Sequence, residues 1–223
     1  GLEALLRWNH RSMGIIAPAK FITALEGSSL IIPVGEWVIK TAFESALKWR
    51  EDGYDPGIIS INLSIVQLND GDKLLKDIKT LLRETKCKAE WIGIEITESM
   101  MMKDPQKAID ILHKLKELGF KIAVDDFGTG YSSLTYLKKM PIDKLKIDQS
   151  FIRDLPADKE DAELTSTIIA MAKNLHLDVI AEGVETQAQK DFLLENGCLD
   201  AQGYFYEKPL PKKDVKKHIK KIS

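Results

Sequence analysis

The sequence contains little of what marks disulfide-stabilised, zinc-binding or nucleic-acid-binding proteins. Its 223 residues include two cysteines, Cys87 and Cys198, without a Cys-x-x-Cys spacing. This disfavours a disulfide framework and a zinc–thiolate site, and it fits a reducing compartment. The four histidines lie far apart, without a metal-ligand spacing. Lys and Arg number 32 against 34 Asp and Glu, a net charge of −2, so binding of a nucleic acid polymer is not expected.

Long apolar runs and targeting segments are also absent. No run approaches the roughly 18 apolar residues of a membrane span, and no signal peptide is found, so we expect a cytoplasmic location, although the parent protein can be membrane-anchored. The one charge run is a C-terminal group of lysines, expected on the solvated face of a last helix. Its members are Lys212, Lys213, Lys216, Lys217, Lys220 and Lys221. Because Gly1 lies within an apparent strand, we expect a fragment of a longer protein.

Helix signals recur along the chain as apolar spacing, N-cap residues and closing glycines. The predicted helices run from Pro33 to about Asp52, from Asp104-Pro105 to Gly119, from Asp158 to about Leu175 and from Thr186 to Gly197. Trp37, Phe43 and Trp49 fall at helical spacing in the first of them and are expected in the core.

Short apolar runs separate these helices and are predicted to be strands. They are Leu2–Trp8, Ile58–Ser64, Trp91–Thr97, Lys121–Asp126, Lys144–Asp148, Leu177–Glu182 and Leu199–Tyr204. Strands that alternate with helices indicate an α/β protein with a parallel sheet. In most of these runs one face is apolar and the other is polar or small, whereas an open doubly wound sheet reads apolar on both faces. We therefore predict a closed (β/α)8-type barrel whose polar interior leads to a site at the carboxyl ends of the strands.

Polar and charged side chains lie late in most of these runs, namely Asn62, Glu95, Asp125, Asp126, Lys146, Glu182 and Gln202. The predicted site combines the acidic and amide members of this set with Glu3 of the first run: Glu3, Asn62, Glu95, Asp125, Asp126 and Glu182. Gathered at one barrel mouth, the carboxylates would repel one another and need a cation. Oxygen ligands without Cys or His favour Mg²⁺ or Mn²⁺, and so many carboxylates favour two ions. Ca²⁺ is expected to inhibit, because its bonds are longer and its geometry is looser.

Specific roles follow for two of these acidic residues and for two basic side chains. Asp125 is predicted to bridge two ions, and Asp126, where the pleat ends, to turn towards the same mouth. Lys146 places positive charge beside the attacking water or a phosphate, and Arg7 suits a phosphate oxygen. Taken singly, each residue has a simpler interpretation. An Asp-Asp pair often lies in a turn with solvated charges, a lone Glu often forms a salt bridge, and a lone Lys is usually solvated. Only the set across seven strands favours function.

An ordered set of motifs gives the chain a resemblance to a known family. The motifs are Glu3-Ala4-Leu5-x-Arg7, Asn62-Leu63-Ser64, Glu95-Ile96-Thr97-Glu98, Asp125-Asp126-Phe127-Gly128-x-Gly130-Tyr131-Ser132-Ser133, Lys144-x-Lys146, Ala181-Glu182-Gly183-Val184-Glu185 and Gln202-Gly203-Tyr204. With them the chain resembles the EAL-domain family of cyclic di-GMP-specific phosphodiesterases over essentially its whole length.

The resemblance implies a modified TIM barrel that hydrolyses cyclic di-GMP to linear pGpG with two Mg²⁺ or Mn²⁺ ions. It implies metal ligation by Glu3, Asn62, Glu95, Asp125, Asp126 and Glu182, and catalytic roles for Lys146, Glu182 and Glu3. It further implies substrate contacts by Leu5, Arg7 and Gln202, with Glu98 and Glu185 as loop anchors. A homodimer through the Asp125–Ser133 region and regulatory domains in the parent chain are also expected.

One departure and two alternative functions remain open at this point. The family normally begins with an antiparallel strand that is missing here, so residues 1–223 are interpreted as an N-terminally incomplete EAL phosphodiesterase domain. A cyclic di-GMP receptor without turnover and a protein-interaction module with a vestigial site are the alternatives. The intact acidic set argues against both of them.

Overall fold

The computed structural model describes residues 1–130 and 134–221, which form short strands alternating with helices. The strands, in chain order, are β1 Leu2–Ala4, β2 Trp8–His10, β3 Gly14–Ile16, β4 Tyr54–Asp55, β5 Ile59–Asn62, β6 Ile92–Thr97, β7 Lys121–Phe127, β8 Lys144–Ile147, β9 Asp178–Ala181, β10 Asp200–Ala201 and β11 Lys220–Lys221. The α-helices are α1 Ile22–Glu26, α2 Ile31–Glu51, α3 Ile65–Asn69, α4 Gly71–Thr85, α5 Glu98–Lys103, α6 Pro105–Glu117, α7 Leu134–Leu137, α8 Gln149–Ile152, α9 Lys159–Asn174 and α10 Gln187–Glu195. Short 3₁₀ turns occur at Pro18–Lys20, Ala89–Trp91 and Val215–Lys217.

The chain divides into two compact units. The first unit consists of Gly1–Glu95, Asp110–Lys121 and Leu210–Ser223. The second unit consists of Ile96–Ile109 and Ile122–Pro209. Each of the seven runs predicted as strands overlaps an observed strand. None of the helices in the described ranges combines the length and apolar character that crossing a bilayer requires.

In the first unit, β1, β5 and β6 pair in parallel, which fixes the register of the polar residues along them. Glu3 lies opposite Ser60, and Asn62 lies opposite Glu95. Helix α2 packs on β5 and α4 packs on α2, and Phe43 in α2 is fully buried with its ring stacked 6.1 Å from that of Phe120. Burial of such a side chain contributes about 2–3 kcal/mol. This core holds the carboxyl ends of β1 and β5 side by side.

In the second unit, β7, β8, β9 and β10 pair in parallel, and α9 packs on β8 and β9. Leu145 and Ile147 in β8 are fully buried and alternate with Lys144 and Lys146. Because side chains alternate faces along a strand, the two lysines share the face opposite the apolar core.

The helix boundaries predicted from capping residues are confirmed. Asp158 precedes α9 and accepts hydrogen bonds from the backbone N–H groups of its first turn. Thr186 precedes α10 and forms a capping box with Gln189. Asp104 precedes α6 and accepts a hydrogen bond from the N–H of Lys107 at 3.3 Å. Each such bond satisfies a backbone donor that has no partner within the helix.

The prediction of a last helix that carries the C-terminal lysines is wrong. Leu210–Lys221 contains only the 3₁₀ turn and β11, which pairs antiparallel with β4. Lys216 is only partly exposed, because it forms an ion pair with Asp52 and lies over the Tyr54 ring. The hydrogen bonds from Lys216 and Lys48 lower the pKa of the Asp52 carboxyl. Contacts within the first unit, of which this C-terminal segment is a part, are therefore formed in place of the expected helix.

Two other expectations need correction. Strand β1 ends at Ala4, and the predicted run to Trp8 continues instead into a hairpin of β2 and β3. Trp37 is 57% exposed, although Phe43 and Trp49 in the same helix are buried as expected. In a helix of 3.6 residues per turn, Trp37 lies away from the face that meets the sheet, so its apolar character alone was misleading.

Both cysteines are free thiols buried in the protein, one in each unit. Burial raises the pKa of Cys87 and of Cys198 to about 11, because the charged thiolate loses its hydration in an apolar environment. Neither thiol is therefore a candidate nucleophile.

Candidate metal and phosphoester site

The first unit brings three of the predicted metal ligands together at the carboxyl ends of neighbouring strands. The Asn62 amide nitrogen donates a hydrogen bond to Glu3 Oε1 at 2.9 Å. Carboxylate oxygens of Glu3 and Glu95 lie within 4.8 Å of each other, and Glu95 is only 4% exposed. Asn62 points its Nδ2 at a carboxylate, so its carbonyl oxygen is the atom that can ligate a cation.

In the second unit, a strand irregularity explains how two adjacent aspartates can serve one site. Residues i and i+1 of a regular strand point to opposite faces. The pairing of β7 with β8 shifts register between Val124 and Phe127, and Asp126 has a left-handed φ of 53°. Asp126 also donates its backbone N–H to Asp125 Oδ1 at 3.0 Å. The strand does not end at this pair, as was expected, but bulges, which re-aims the second carboxylate.

Asp125, Asp126 and Glu182 form an acidic cluster around a buried lysine. One carboxylate oxygen from each of the three lies within 4.8 Å of the others. Lys146 Nζ lies 3.0 Å from Asp125 Oδ1 and 2.6 Å from Glu182 Oε1, and the lysine is 2% exposed. Together these four groups carry a net formal charge of −2. We refer to Asp125, Asp126, Glu182 and Lys146 as the acidic cluster.

The donors of the acidic cluster fit a divalent cation of the Mg²⁺ or Mn²⁺ type. All three acidic side chains offer hard oxygen atoms, which such ions prefer. Their remaining formal charge of −2 equals in size the charge of one such ion. A zinc or copper site draws on Cys or His, and neither is among these donors.

Gln202 and Gly203 hold the Glu182 carboxylate from the neighbouring chain segment. The Gln202 side-chain amide donates to Glu182 Oε1 at 3.0 Å, and the Gln202 backbone carbonyl accepts the N–H of Val184 at 3.1 Å. A Cβ on Gly203 would lie 2.2 Å from the Val184 carbonyl oxygen. Sequence reasoning missed this close approach of two backbones, although a glycine directly after a predicted site residue is the signal that could have found it.

Glu98 is buried beside the turn that follows the aspartate pair. It is 1% exposed, and its Oε2 accepts the backbone N–H of Gly128 at 3.0 Å, which is the hydrogen bond expected from the sequence. A Cβ on Gly130 would lie 2.9 Å from Glu98 Oε1, so the carboxylate fits closely against this glycine. Tyr131, Ser132 and Ser133 of the same motif lie outside the described residues.

The predicted substrate contacts Leu5 and Arg7 are both exposed in the first unit. The Arg7 guanidinium donates to the Leu6 carbonyl at 2.8 Å. Leu5 and Asn62 line a cavity of about 210 Å³ whose other walls are mainly apolar. A cavity of this size and character accepts a ring-shaped apolar or aromatic group. Glu185 is exposed just before α10, and its predicted anchoring role stays a prediction.

Comparisons with known proteins connect this arrangement to one family. A family model described as the EAL domain matches residues 1–209. The bifunctional diguanylate cyclase/cyclic di-GMP phosphodiesterase MucR of Pseudomonas aeruginosa is 40% identical over 211 residues, covering 95% of this chain and 31% of the relative. The cyclic di-GMP phosphodiesterase PdeR of Escherichia coli is 39% identical over 210 residues, covering 94% and 32%. The chain thus spans about a third of the length of these relatives.

Solved structures agree with the sequence comparison. The PaMucR phosphodiesterase in complex with c-di-GMP has a TM-score of 0.92 at 39% identity, covering 96% of this chain and 86% of that one. The EAL enzyme Bd1971, bound to cAMP and cyclic-di-GMP, has a TM-score of 0.91 at 36% identity, covering 98% and 60%. These likenesses confirm the predicted fold class, an α/β barrel of the modified TIM type.

Proposed function

The chain belongs to the EAL domain family, and on that premise we propose that it hydrolyses cyclic di-GMP to linear pGpG in a metal-dependent reaction. The observation that carries the proposal is the acidic cluster, in which three carboxylates converge around Lys146. The names of the relatives MucR and PdeR, both phosphodiesterases of this dinucleotide, support the choice of substrate.

We propose that Asp125, Asp126 and Glu182 serve as metal ligands in the second unit, and Glu3, Asn62 and Glu95 in the first. When bound, two Mg²⁺ or Mn²⁺ ions supply an activated water and charge stabilisation for the leaving oxygen. Lys146 holds the carboxylates in place and presents positive charge to the attacking water. The Glu182 carboxylate, fixed by Lys146 and Gln202, accepts the proton of that water.

The remaining predicted residues bind the substrate in this proposal. Arg7, with its planar set of N–H donors, pairs with a non-bridging phosphate oxygen. Leu5 and the cavity beside it accept one guanine base of the dinucleotide. Gln202 combines a substrate contact with its hydrogen bond to Glu182.

Incubation of the purified chain with cyclic di-GMP and Mn²⁺, followed by chromatography, tests the function. Formation of pGpG is expected, and omission of the metal with a chelator should abolish it. Binding of cyclic di-GMP without product in the presence of Mn²⁺ would instead indicate a receptor. Absence of both nucleotide and metal binding would indicate an interaction module.

Calcium is expected to inhibit the reaction when it replaces Mg²⁺ or Mn²⁺. Ca²⁺ binds oxygen ligands at about 2.3–2.6 Å with a loose geometry, whereas Mg²⁺ requires about 2.0–2.1 Å in a near-octahedral arrangement. With these longer bonds, the same carboxylates would hold Ca²⁺ in a looser arrangement, which would position an activated water less well. Initial rates at a fixed Mn²⁺ concentration and rising Ca²⁺ concentration provide the measurement, and full activity in Ca²⁺ alone would contradict the proposed geometry.

Replacement of Glu98 with alanine is expected to lower turnover about tenfold while leaving most of the metal affinity intact. The substitution removes a hydrogen bond from a charged acceptor to the Gly128 backbone, worth about 1.5–3 kcal/mol. The turn after the aspartate pair then loses its anchor, although no metal ligand is removed. Calorimetric titration with Mn²⁺ should show a large loss of affinity in Glu95→Ala but not in Glu98→Ala.

An equal loss of affinity in both variants would identify Glu98 as a ligand.

We also propose a homodimer through the Asp125–Ser133 region, of which residues 131–133 lie outside the described part. The same Glu98→Ala variant should then dissociate more readily, which analytical ultracentrifugation measures.

A further inference from the structure

Lys146 occupies a place in the acidic cluster that the proposed reaction does not fully explain. Its ammonium contacts two carboxylates at once, at 3.0 Å and 2.6 Å, and 2% of the residue is exposed. A lysine that only met a water or a phosphate would need no such pair of internal partners. The chain itself therefore supplies a cation that neutralises part of this site.

The charges of the cluster show what this cation does. Three carboxylate oxygens within 4.8 Å of one another repel strongly in an environment from which water is largely excluded. Lys146 reduces the formal charge from −3 to −2. It does so through direct ion pairs with Asp125 and Glu182, which are two of the three oxygen donors offered to a metal ion.

We propose that Lys146 is an internal counter-ion that holds the acidic cluster together before metal binds and lowers the cluster's affinity for divalent cations. The inference rests on the metal ligation proposed above. A metal ion that binds Asp125 and Glu182 shares their oxygens with an ammonium group and is repelled by it. Lys146 is thus a positioning residue whose presence weakens metal binding, in contrast to an ordinary ligand, whose presence strengthens it.

Substitution of Lys146 with methionine separates these two roles. Methionine keeps much of the side-chain volume but leaves the cluster at −3, so the metal-free variant should melt at a lower temperature than the wild type. Its affinity for Mn²⁺, measured by calorimetry at fixed pH, should rise at least tenfold. Lys146→Arg retains the charge and should bind Mn²⁺ within about threefold of the wild type.

Lys144→Met is the matched control, because it also removes a lysine and its ion pair from β8. Lys144 pairs with Asp200 at 2.7 Å, outside the acidic cluster. Its loss should change neither the Mn²⁺ affinity nor the melting temperature of the metal-free protein appreciably.

Weaker or unchanged Mn²⁺ binding by Lys146→Met would overturn the inference. If this variant fails to fold without metal, restoration of its circular dichroism spectrum by Mn²⁺ supports the inference, and failure to fold in saturating Mn²⁺ overturns it. None of these readouts needs cyclic di-GMP. Tighter Mn²⁺ binding by Lys146→Met, together with no hydrolysis of the dinucleotide by the wild-type chain, would therefore support the counter-ion role and contradict the proposed function.

Discussion

Replacement of Asp125 with asparagine is expected to lower the turnover of cyclic di-GMP at least about a hundredfold, an increase of roughly 2.7 kcal/mol in the activation free energy. The side chains are nearly identical in shape, so the change is one of charge. A neutral amide is a weaker ligand for a divalent cation. It also ends the 3.0 Å ion pair between Asp125 and Lys146.

Asp200→Asn supplies the control for Asp125→Asn. Asp200 likewise pairs with a lysine of β8, namely Lys144, but it is largely exposed and lies outside the acidic cluster. The turnover of the Asp200→Asn variant should stay within about twofold of the wild-type value. Initial rates by chromatography, with circular dichroism to verify folding, decide the matter. If Asp125→Asn retained more than about a tenth of the wild-type rate, the metal role of Asp125 would be wrong.

Replacement of Gly203 with alanine is expected to destabilise the second unit by more than about 3 kcal/mol. The added Cβ would lie 2.2 Å from the carbonyl oxygen and 2.3 Å from the nitrogen of Val184, both of them backbone atoms that no rotamer change can move away. The backbone φ of 151° at Gly203 adds strain for any residue with a Cβ. Because Gln202 and Glu182 flank this contact, the surviving folded protein should also lose activity.

Gly27→Ala is the corresponding control, because its φ is −72° and the nearest atom to an added Cβ is 3.6 Å away. It should change the free energy of unfolding by less than about 1 kcal/mol. Urea denaturation followed by circular dichroism measures both variants. A Gly203→Ala protein that unfolds at the same urea concentration as the wild type would show that the two segments can separate at little cost.

Features with a local physical cause were predictable from the sequence. The helices α9 and α10 begin where Asp158 and Thr186 place their side-chain oxygens, because a cap needs only the next three residues. The strands could be located because a short apolar run between two predicted helices is typical of a buried strand. Most of the candidate site residues on the other strands could be identified from their late positions in the runs, whereas Glu3 and Arg7 lie in the first run.

Features that depend on the folded environment were not predictable in this way. The bulge at Asp125 and Asp126 arises from the pairing of β7 with β8, and no propensity of aspartate demands a left-handed φ. The pairing of Lys146 with two carboxylates required the relative positions of β7, β8 and the segment after β9. The C-terminal lysines do not form the helix that their spacing predicts, and Lys216 instead contacts Asp52 and Tyr54.

The burial of both cysteines has a practical consequence for spectroscopy. Because burial raises the pKa of both thiols to about 11, few of them are ionised at pH 7, and it is the thiolate that reacts with maleimide and methanethiosulfonate reagents. A single cysteine introduced at an exposed position, such as Ser12 in the β2–β3 hairpin, could thus be labelled with little background from Cys87 and Cys198. Fluorophores or spin labels could then be attached to this hairpin in an otherwise native protein.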